Sequence, residues 1–85
     1  MKEFTYILKE KNGLHARPAG QLSTVCKSFD CEITVIANGK AADGKRLLSL
    51  MALGAKCGAE LLFKLNGNDE DVAAIALKEH CESNI

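Results

Sequence analysis

The sequence predicts a small α+β domain in which helices cover one face of a β-sheet. Three observations support this fold class: alternating apolar residues indicate strands, apolar residues at helical spacing indicate helices, and glycine-containing turns separate the segments. The order is β-α-β-β-α-β-α along 85 residues. Because each strand shows one apolar face and each long helix one apolar stripe, we expect a single domain, residues 1–85, built from two layers.

The first strand is predicted from three alternating apolar residues, Phe4, Tyr6 and Leu8. It ends before the turn dipeptide Asn12-Gly13. From there the apolar spacing becomes helical, and we expect the first helix over residues 16–29. Its predicted core stripe is Ala19, Leu22, Cys26 and Phe29. Pro18 lies in the first turn, where a missing backbone N–H costs little.

The next three elements are a hairpin and a short helix. The second strand is predicted from Ile33, Val35 and Ala37. Asn38-Gly39 is a strong hairpin signal and leads into a third strand near residues 40–42. A short helix is expected between Asp43-Gly44 and Gly54, from the apolar residues Leu47, Leu48, Leu50, Met51 and Leu53. That helix is apolar on more than one side, which indicates an exposed apolar surface or a deeply buried helix.

The C-terminal part predicts one strand and one helix. The strand is indicated by Leu61, Phe63 and Leu65. It ends at Asn66-Gly67, and the last helix is expected to begin near residue 68 or 69. Asp69, Glu70 and Asp71 favour the positive end of the helix dipole at that point. The predicted core stripe of this helix is Ala74, Leu77 and Cys81.

Charge and hydropathy restrict the class of partner. The formal net charge is zero, but residues 1–64 contain ten Lys or Arg against six acids, and residues 65–85 one Lys against five acids. The basic residues are not interleaved with aromatic ones, so we expect an acidic protein partner and no nucleic acid. No apolar run approaches the roughly 20 residues of a membrane span, and the N-terminus lacks the apolar stretch of a signal peptide. We therefore expect a cytoplasmic protein without membrane insertion.

The four cysteines are predicted to be free thiols. No pair has a CxxC or other metal-ligand spacing, and cytosolic disulfides are rare. Cys26 and Cys81 fall where helices need small apolar side chains, so we expect them in the core. A metal-binding module built from His15, His80 and cysteines is an alternative, but His80 is expected at a partly exposed helix edge. With no nucleotide loop either, we expect neither metal nor cofactor.

The segment from Asn12 to Pro18 combines groups that suit an anion. His15 lies at the start of a helix, where backbone N–H groups such as that of Ala16 lack acceptors and the dipole favours negative charge. Arg17 adds a guanidinium that can reach phosphate oxygens, and positive neighbours favour a neutral, nucleophilic imidazole. These residues alone leave a second interpretation equally open, in which His15 caps a helix and Arg17 is a solvated surface charge.

The segment Gly13-Leu14-His15-Ala16-Arg17-Pro18-Ala19 resembles the active-site signature of the HPr family, the histidine phosphocarriers of the bacterial phosphoenolpyruvate-dependent sugar phosphotransferase system. The likeness continues through Asn38-Gly39-Lys40, Lys45, Leu53-Gly54 and Gly58-Ala59-Glu60. It implies an open-faced β-sandwich, with four antiparallel strands and three helices on one side. It also implies that enzyme I places phosphate on Nδ1 of His15 and that a IIA domain removes it, so the protein is a carrier and no stand-alone enzyme. Asn12, Ala16 and Arg17 would bind the phosphate.

The resemblance also gives the second helix a role, because in this family that helix docks partners beside the histidine. The expected partner surface is apolar and has a basic rim: Leu47, Leu48 and Met51, with Lys45, Arg46 and Lys27 around them. Core packing is an equally good interpretation for Leu48 and a better one for Leu50 and Leu53. Arg46 stands where Gram-positive relatives have a regulatory serine, so kinase regulation at that position is excluded.

Two other functions remain open at this point. The motif does not distinguish sugar uptake from a nitrogen-regulatory or dihydroxyacetone-kinase phosphorelay. A silent regulatory binding module would use the apolar second helix alone, although His15 would then have no role. We expect sugar uptake through enzyme I and IIA domains, and a monomeric carrier.

Overall fold

The computed structural model describes residues 1–85 and contains four strands and three helices in the predicted order. The strands are β1 (Lys2–Ile7), β2 (Glu32–Ala37), β3 (Lys40–Asp43) and β4 (Glu60–Asn66). The helices are α1 (Ala16–Lys27), α2 (Leu47–Ala52) and α3 (Glu70–Asn84). None of these helices has the length and apolarity that crossing a bilayer requires.

The strands form one sheet in the order β1-β4-β2-β3, with every neighbouring pair antiparallel. The register places Phe4 opposite Phe63, Phe63 opposite Val35, and Val35 opposite Ala42. All four side chains of this row are buried. The rings of Phe4 and Phe63 stack with centroids 4.6 Å apart. Since alternate residues point to opposite faces, one face of the sheet supplies the core and the other stays open. The predicted α+β open-faced sandwich is confirmed.

The helices cover the buried face of the sheet. Leu22 of α1, Leu50 of α2 and Leu77 of α3 are fully buried and belong to one apolar cluster with the inward-facing strand residues. Helix α1 packs between α2 and α3, and α3 also packs on β1 and β4. Tyr6 of β1 is partly buried beneath α3, where its hydroxyl has no hydrogen-bond partner and burial raises its pKa.

The hairpin between β2 and β3 follows directly from its sequence. Asn38 and Gly39 adopt positive φ angles of 54° and 75°. A two-residue hairpin turn needs the left-handed conformation at both positions, which Asn and Gly accept at low cost. Asn38 also donates from Nδ2 to the carbonyls of Leu53 and Gly54, at 3.1 and 3.2 Å. The predicted hairpin is confirmed.

Helix α1 ends two residues before the predicted limit. Ser28 has φ −75° and ψ −7°, and its N–H donates to Val25 O at 3.1 Å, which tightens the last turn. Phe29 lies beyond the helix but still packs on the core. Lys45 donates from Nζ to the Phe29 carbonyl at 2.7 Å. A side chain from a later segment therefore pairs a carbonyl just beyond the end of α1. Periodicity alone does not show where such a tight turn begins.

Helix α3 begins at Glu70, one residue after the predicted start near residue 68 or 69, and Asp69 is its N-cap but does not cap it with its side chain. Its carboxylate instead accepts from the N–H groups of Asp30 and Cys31, at 2.8 and 2.9 Å. The hydrogen bond from Asp30 is the main reason that the pKa of Asp69 lies below its ordinary value. The predicted stripe is confirmed and gains a fourth member: Ala73, Ala74, Leu77 and Cys81 are buried.

Candidate functional site

His15 is the N-cap of α1, with extended backbone at φ −88° and ψ −172°. Its carbonyl accepts from the N–H of Ala19 at 2.9 Å. The N–H groups of Ala16 and Arg17 lie in the first turn and have no acceptor in a preceding turn. The imidazole is 42% exposed. A reactive ring therefore stands in solvent beside two free backbone donors and the positive end of a helix dipole.

The loop between β1 and α1, residues 8–15, which we call the site loop, is held against the loop between α2 and β4. Leu14 is buried, and its N–H donates to the Ala55 carbonyl at 2.9 Å. Gly13 has φ +75°, and a Cβ added there would lie 2.5 Å from the same carbonyl oxygen. A side chain at position 13 would thus meet both backbone strain and a backbone clash. Glycine is required here because the two loops approach so closely.

The end of α3 closes the other side of the site. The Ile85 carbonyl accepts from the N–H groups of Lys9 and Glu10, both at 2.7 Å. Between this helix end, the loop and the start of α1 lies an open cleft of about 390 Å³. Its polar lining comprises Glu10, Asn12, His15, Arg17, Gln21, Ser83 and Asn84. The cleft therefore contains three predicted residues, Asn12, His15 and Arg17, whereas Ala16 contributes its backbone N–H at the helix start.

Sequence reasoning missed four of the cleft residues: Glu10, Gln21, Ser83 and Asn84. Glu10 places its Oε1 3.9 Å from Nε2 of His15, although no motif marks this position. Ser83 and Asn84 reach the cleft only because the last turn of α3 packs against the loop that follows β1. Their sole sequence signal is that they are polar residues at the end of a helix, which is also typical of solvated termini.

The cleft has the groups that a phosphoryl acceptor needs. Arg17 is exposed and forms no ion pair with a carboxylate, so its guanidinium is available to an incoming oxyanion. Charge-assisted hydrogen bonds from a guanidinium and from backbone N–H groups suit the oxygens of a phosphoryl group. The exposed imidazole of His15 offers a nitrogen that can act as a nucleophile. A second hollow, of about 470 Å³, lies along β2 and β3 and contains no histidine, cysteine or arginine.

An apolar surface lies next to this cleft on α2. Leu47, Leu48 and Met51 are 37%, 77% and 38% exposed, whereas Leu50 and Leu53 are buried. Leu48 is therefore a surface residue, and the core interpretation holds only for Leu50 and Leu53. The Leu47 side chain lies 3.9 Å from the position a Cβ would take at Gly20, on the helix that begins at His15. We call Leu47, Leu48 and Met51 the apolar patch.

The predicted basic residues around the apolar patch differ in their contacts. Lys45 is partly buried, and its ammonium is bonded to the Phe29 carbonyl, which gives it a structural role. Arg46 is the N-cap of α2, is 76% exposed and has its Nε 3.6 Å from Asp43 Oδ2. Lys27 is exposed at the end of α1. Arg46 and Lys27 therefore present their charges to solvent more fully than Lys45 does.

The thiols and the second histidine form no further site. Cys26 and Cys81 are buried as predicted, and burial raises the pKa of each to about 12. All four cysteines are free, and no group of three or more His, Cys, Asp or Glu side chains could hold a metal ion. His80 is partly buried at the helix edge, where burial lowers its pKa. Its Nδ1 lies 3.3 Å from Asn84 Nδ2, so it supports a cleft residue.

Comparisons with known proteins find relatives of this chain in sequence and in structure. The PTS-HPr family model, described as the PTS HPr component phosphorylation site, matches residues 2–83. Phosphocarrier protein HPr of Mycoplasma capricolum is 40% identical over 79 residues, covering 93% of this chain and 89% of that protein. The protein of the same name from Borreliella burgdorferi is 42% identical over 77 residues, covering 91% and 90%. The crystal structure of HPr-C-His from Thermoanaerobacter tengcongensis superposes with a TM-score of 0.92 at 36% identity, covering 98% and 93%.

Proposed function

The chain belongs to the HPr family of phosphocarrier proteins of the phosphotransferase system, and on that premise we propose that His15 carries the phosphoryl group. One observation carries the assignment. His15 is exposed at a helix N-cap, beside the N–H groups of Ala16 and Arg17 and in one cleft with the Arg17 guanidinium. A phosphoryl group on the ring would meet donors and positive potential without any movement of the backbone.

In the proposed relay, enzyme I supplies the phosphoryl group and a IIA domain of a sugar permease removes it. The lone pair of Nδ1 attacks phosphorus, the donor's bond to phosphorus breaks, and its electron pair returns to the donor. The guanidinium of Arg17 and the two backbone N–H groups bind the phosphoryl oxygens during both transfers. Asn12, at the rim of the cleft, adds a side-chain amide that can donate to the same oxygens.

We propose that partners dock on the apolar patch, with Arg17, Lys27 and Arg46 as a basic rim. Exposed apolar side chains beside a reactive group are typical of a docking surface. The rim would attract an acidic partner surface, and such charges act mainly on the rate of association. The proposed compartment is the cytoplasm, where thiols such as the exposed Cys57 stay reduced. We propose a monomer, because a relay needs the His15 cleft open to each partner in turn.

The test is incubation with phosphoenolpyruvate and enzyme I, followed by intact mass measurement. We expect one acid-labile phosphoryl adduct on the wild type and none on His15→Ala. Uptake that persists in His15→Ala would overturn the assignment. Subsequent transfer to a sugar-specific IIA domain, compared with a nitrogen-regulatory or dihydroxyacetone-kinase acceptor, identifies the circuit. Selective transfer to the sugar-specific acceptor is the expected result.

A further inference from the structure

Glu10 is the carboxylate that faces the His15 ring. Its Oε1 lies 3.9 Å from His15 Nε2, and the two side chains are only 31% and 42% exposed. The backbone of Glu10 is tied on both sides: its N–H donates to the Ile85 carbonyl at 2.7 Å, and its carbonyl accepts from Gly13 at 2.9 Å. The carboxylate is therefore held beside one particular nitrogen of the ring.

The other charged groups near His15 come from three directions. Arg17 of α1 is the only other charged residue that lines the cleft, where α3 contributes the uncharged Ser83 and Asn84. The hollow next to Glu10 is also lined by Lys9, by Tyr6 of β1 and by Glu82 of α3. Behind the site loop, Lys56 approaches Gly13 and Cys57 contacts the Lys9 carbonyl at 3.7 Å. Glu10 alone among these is paired with the ring.

We propose that Glu10 is a positioning residue, which keeps a proton on Nε2 of His15 so that Nδ1 is the nitrogen that receives and releases the phosphoryl group. The inference rests on the proposed function of His15. A neutral imidazole carries one proton on either nitrogen, and the nearby carboxylate favours the tautomer with that proton on Nε2. The lone pair is then on Nδ1.

The same carboxylate acts on the phosphorylated ring. When Nδ1 forms its bond to phosphorus and the donor leaves with its electron pair, Nε2 keeps its proton and the ring becomes cationic. A cationic ring is a good leaving group, because it departs as neutral imidazole when the next acceptor attacks phosphorus. Loss of the Nε2 proton would give a neutral ring that releases the phosphoryl group more slowly. Glu10 opposes that loss by placing a negative charge beside the proton.

The experiment compares the wild type with Glu10→Gln, Glu10→Asp and Glu32→Gln. Glu32 is exposed, and its backbone lies opposite Asn66 at the end of the sheet away from the His15 cleft, so its replacement controls for net charge alone. Imidazole ¹⁵N shifts at alkaline pH measure the two tautomers of His15. Because both side chains are partly exposed to solvent, we expect Glu10→Gln to lower the ratio of the Nε2–H to the Nδ1–H tautomer by about two- to fivefold. Glu10→Asp should restore part of the ratio, and Glu32→Gln should leave it unchanged.

The pH profile of dephosphorylation provides the second readout. Phosphorylated Glu10→Gln should transfer more slowly than the wild type at alkaline pH, by a similar factor of about two to five, and equally fast in acid, where the ring is protonated in both. A tautomer ratio and pH profile identical to those of the wild type would overturn the role of Glu10. Phosphate uptake by His15→Ala would instead overturn the proposed function, and the tautomer measurement does not depend on that result.

Discussion

At the scale of single residues, we propose that Arg17 serves phosphoryl transfer more than it serves the fold. It is exposed, lines the His15 cleft and forms no ion pair with a carboxylate. Its packing contribution is therefore small, whereas a charge-assisted hydrogen bond to a transferring phosphoryl oxygen is worth about 1.5 to 3 kcal/mol.

Arg17→Ala should slow phosphoryl transfer by roughly 10- to 100-fold while the melting temperature stays nearly constant, because the lost hydrogen bond exists only with the phosphoryl group. Rapid-quench measurements with enzyme I and with a IIA domain check this. Lys40→Ala, which removes an exposed cation from β3, is the matched control and should transfer at the wild-type rate. Normal rates for Arg17→Ala with both partners would contradict the role.

Comparing Gly13 with Gly39 distinguishes the cost of backbone strain from the cost of a steric clash. Both glycines have φ +75°, but only at Gly13 would an added Cβ meet other atoms. Gly39→Ala should cost about 1 kcal/mol, the strain of a left-handed alanine. Gly13→Ala should cost more, about 2 to 3 kcal/mol, since the Ala55 carbonyl must also move. Chemical denaturation measures both. Equal losses would mean that the site loop is free to shift away from Ala55.

At the scale of elements, the six residues of α2 combine a core residue with an exposed apolar patch, and a cationic N-cap, Arg46, precedes them. Arg46 forms no side-chain hydrogen bond to the helix it begins, and a cation at a helix N-terminus opposes the dipole. Local stability thus does not account for arginine at this position. Its pairing with Asp43, 3.6 Å away and largely exposed, offsets little of that cost.

Arg46→Ser should lower the association rate with enzyme I at low ionic strength by roughly two- to threefold, because one charge of the basic rim is lost. The difference should shrink as salt screens the rim. The same change introduces a capping hydroxyl and should stabilise the protein by about 0.5 kcal/mol. Stopped-flow binding at two salt concentrations, together with thermal melts, measures both effects. Equal association rates at low salt would remove Arg46 from the docking surface.

Elements whose limits depend on local chemistry were predictable, and those limited by tertiary contacts were not. Asn38-Gly39 determined the β2–β3 hairpin because its backbone preference is intrinsic. The end of α1 depends on Lys45 from a later segment, which a periodic pattern does not contain. In the site, the signature pointed to His15 and Arg17. Glu10 lies beside His15 because of the turn that ends at Gly13, and Asn84 reaches the cleft through the packing of α3. The sequence did not show whether Leu48 is buried or exposed, because an apolar helix face has the same residue pattern whether or not the rest of the protein packs on it.

At the scale of the whole molecule, Asp69 joins distant segments. Its carboxylate accepts hydrogen bonds from the N–H groups of Asp30 and Cys31, in the segment between α1 and β2. Its own backbone is the N-cap of α3. These hydrogen bonds, that from Asp30 first, hold the pKa of Asp69 below its ordinary value of 3.8. A carboxyl whose pKa is lower in the folded state stabilises that state above its unfolded pKa and ceases to do so as the pH falls through the folded pKa.

Asp69→Asn should therefore lower the melting temperature at about pH 7, and this difference should shrink as the pH falls below 3.8 and through the lowered pKa of the wild-type carboxyl. Thermal melts across this range measure the effect. Glu79→Gln removes an exposed carboxylate of α3 that forms no ion pair, and should leave the pH profile unchanged. A melting-temperature difference between wild type and Asp69→Asn that stays constant across this range would contradict this account.

The buried hydroxyl of Tyr6 gives the molecule its own optical probe. The chain has one tyrosine and no tryptophan, so ultraviolet emission above that of phenylalanine comes from this single ring. The ring lines the same hollow as Glu10 and the last residues of α3. Its intensity should therefore report whether the end of α3 is seated against the site loop. Folding and loosening of that helix end can therefore be followed in unlabelled protein.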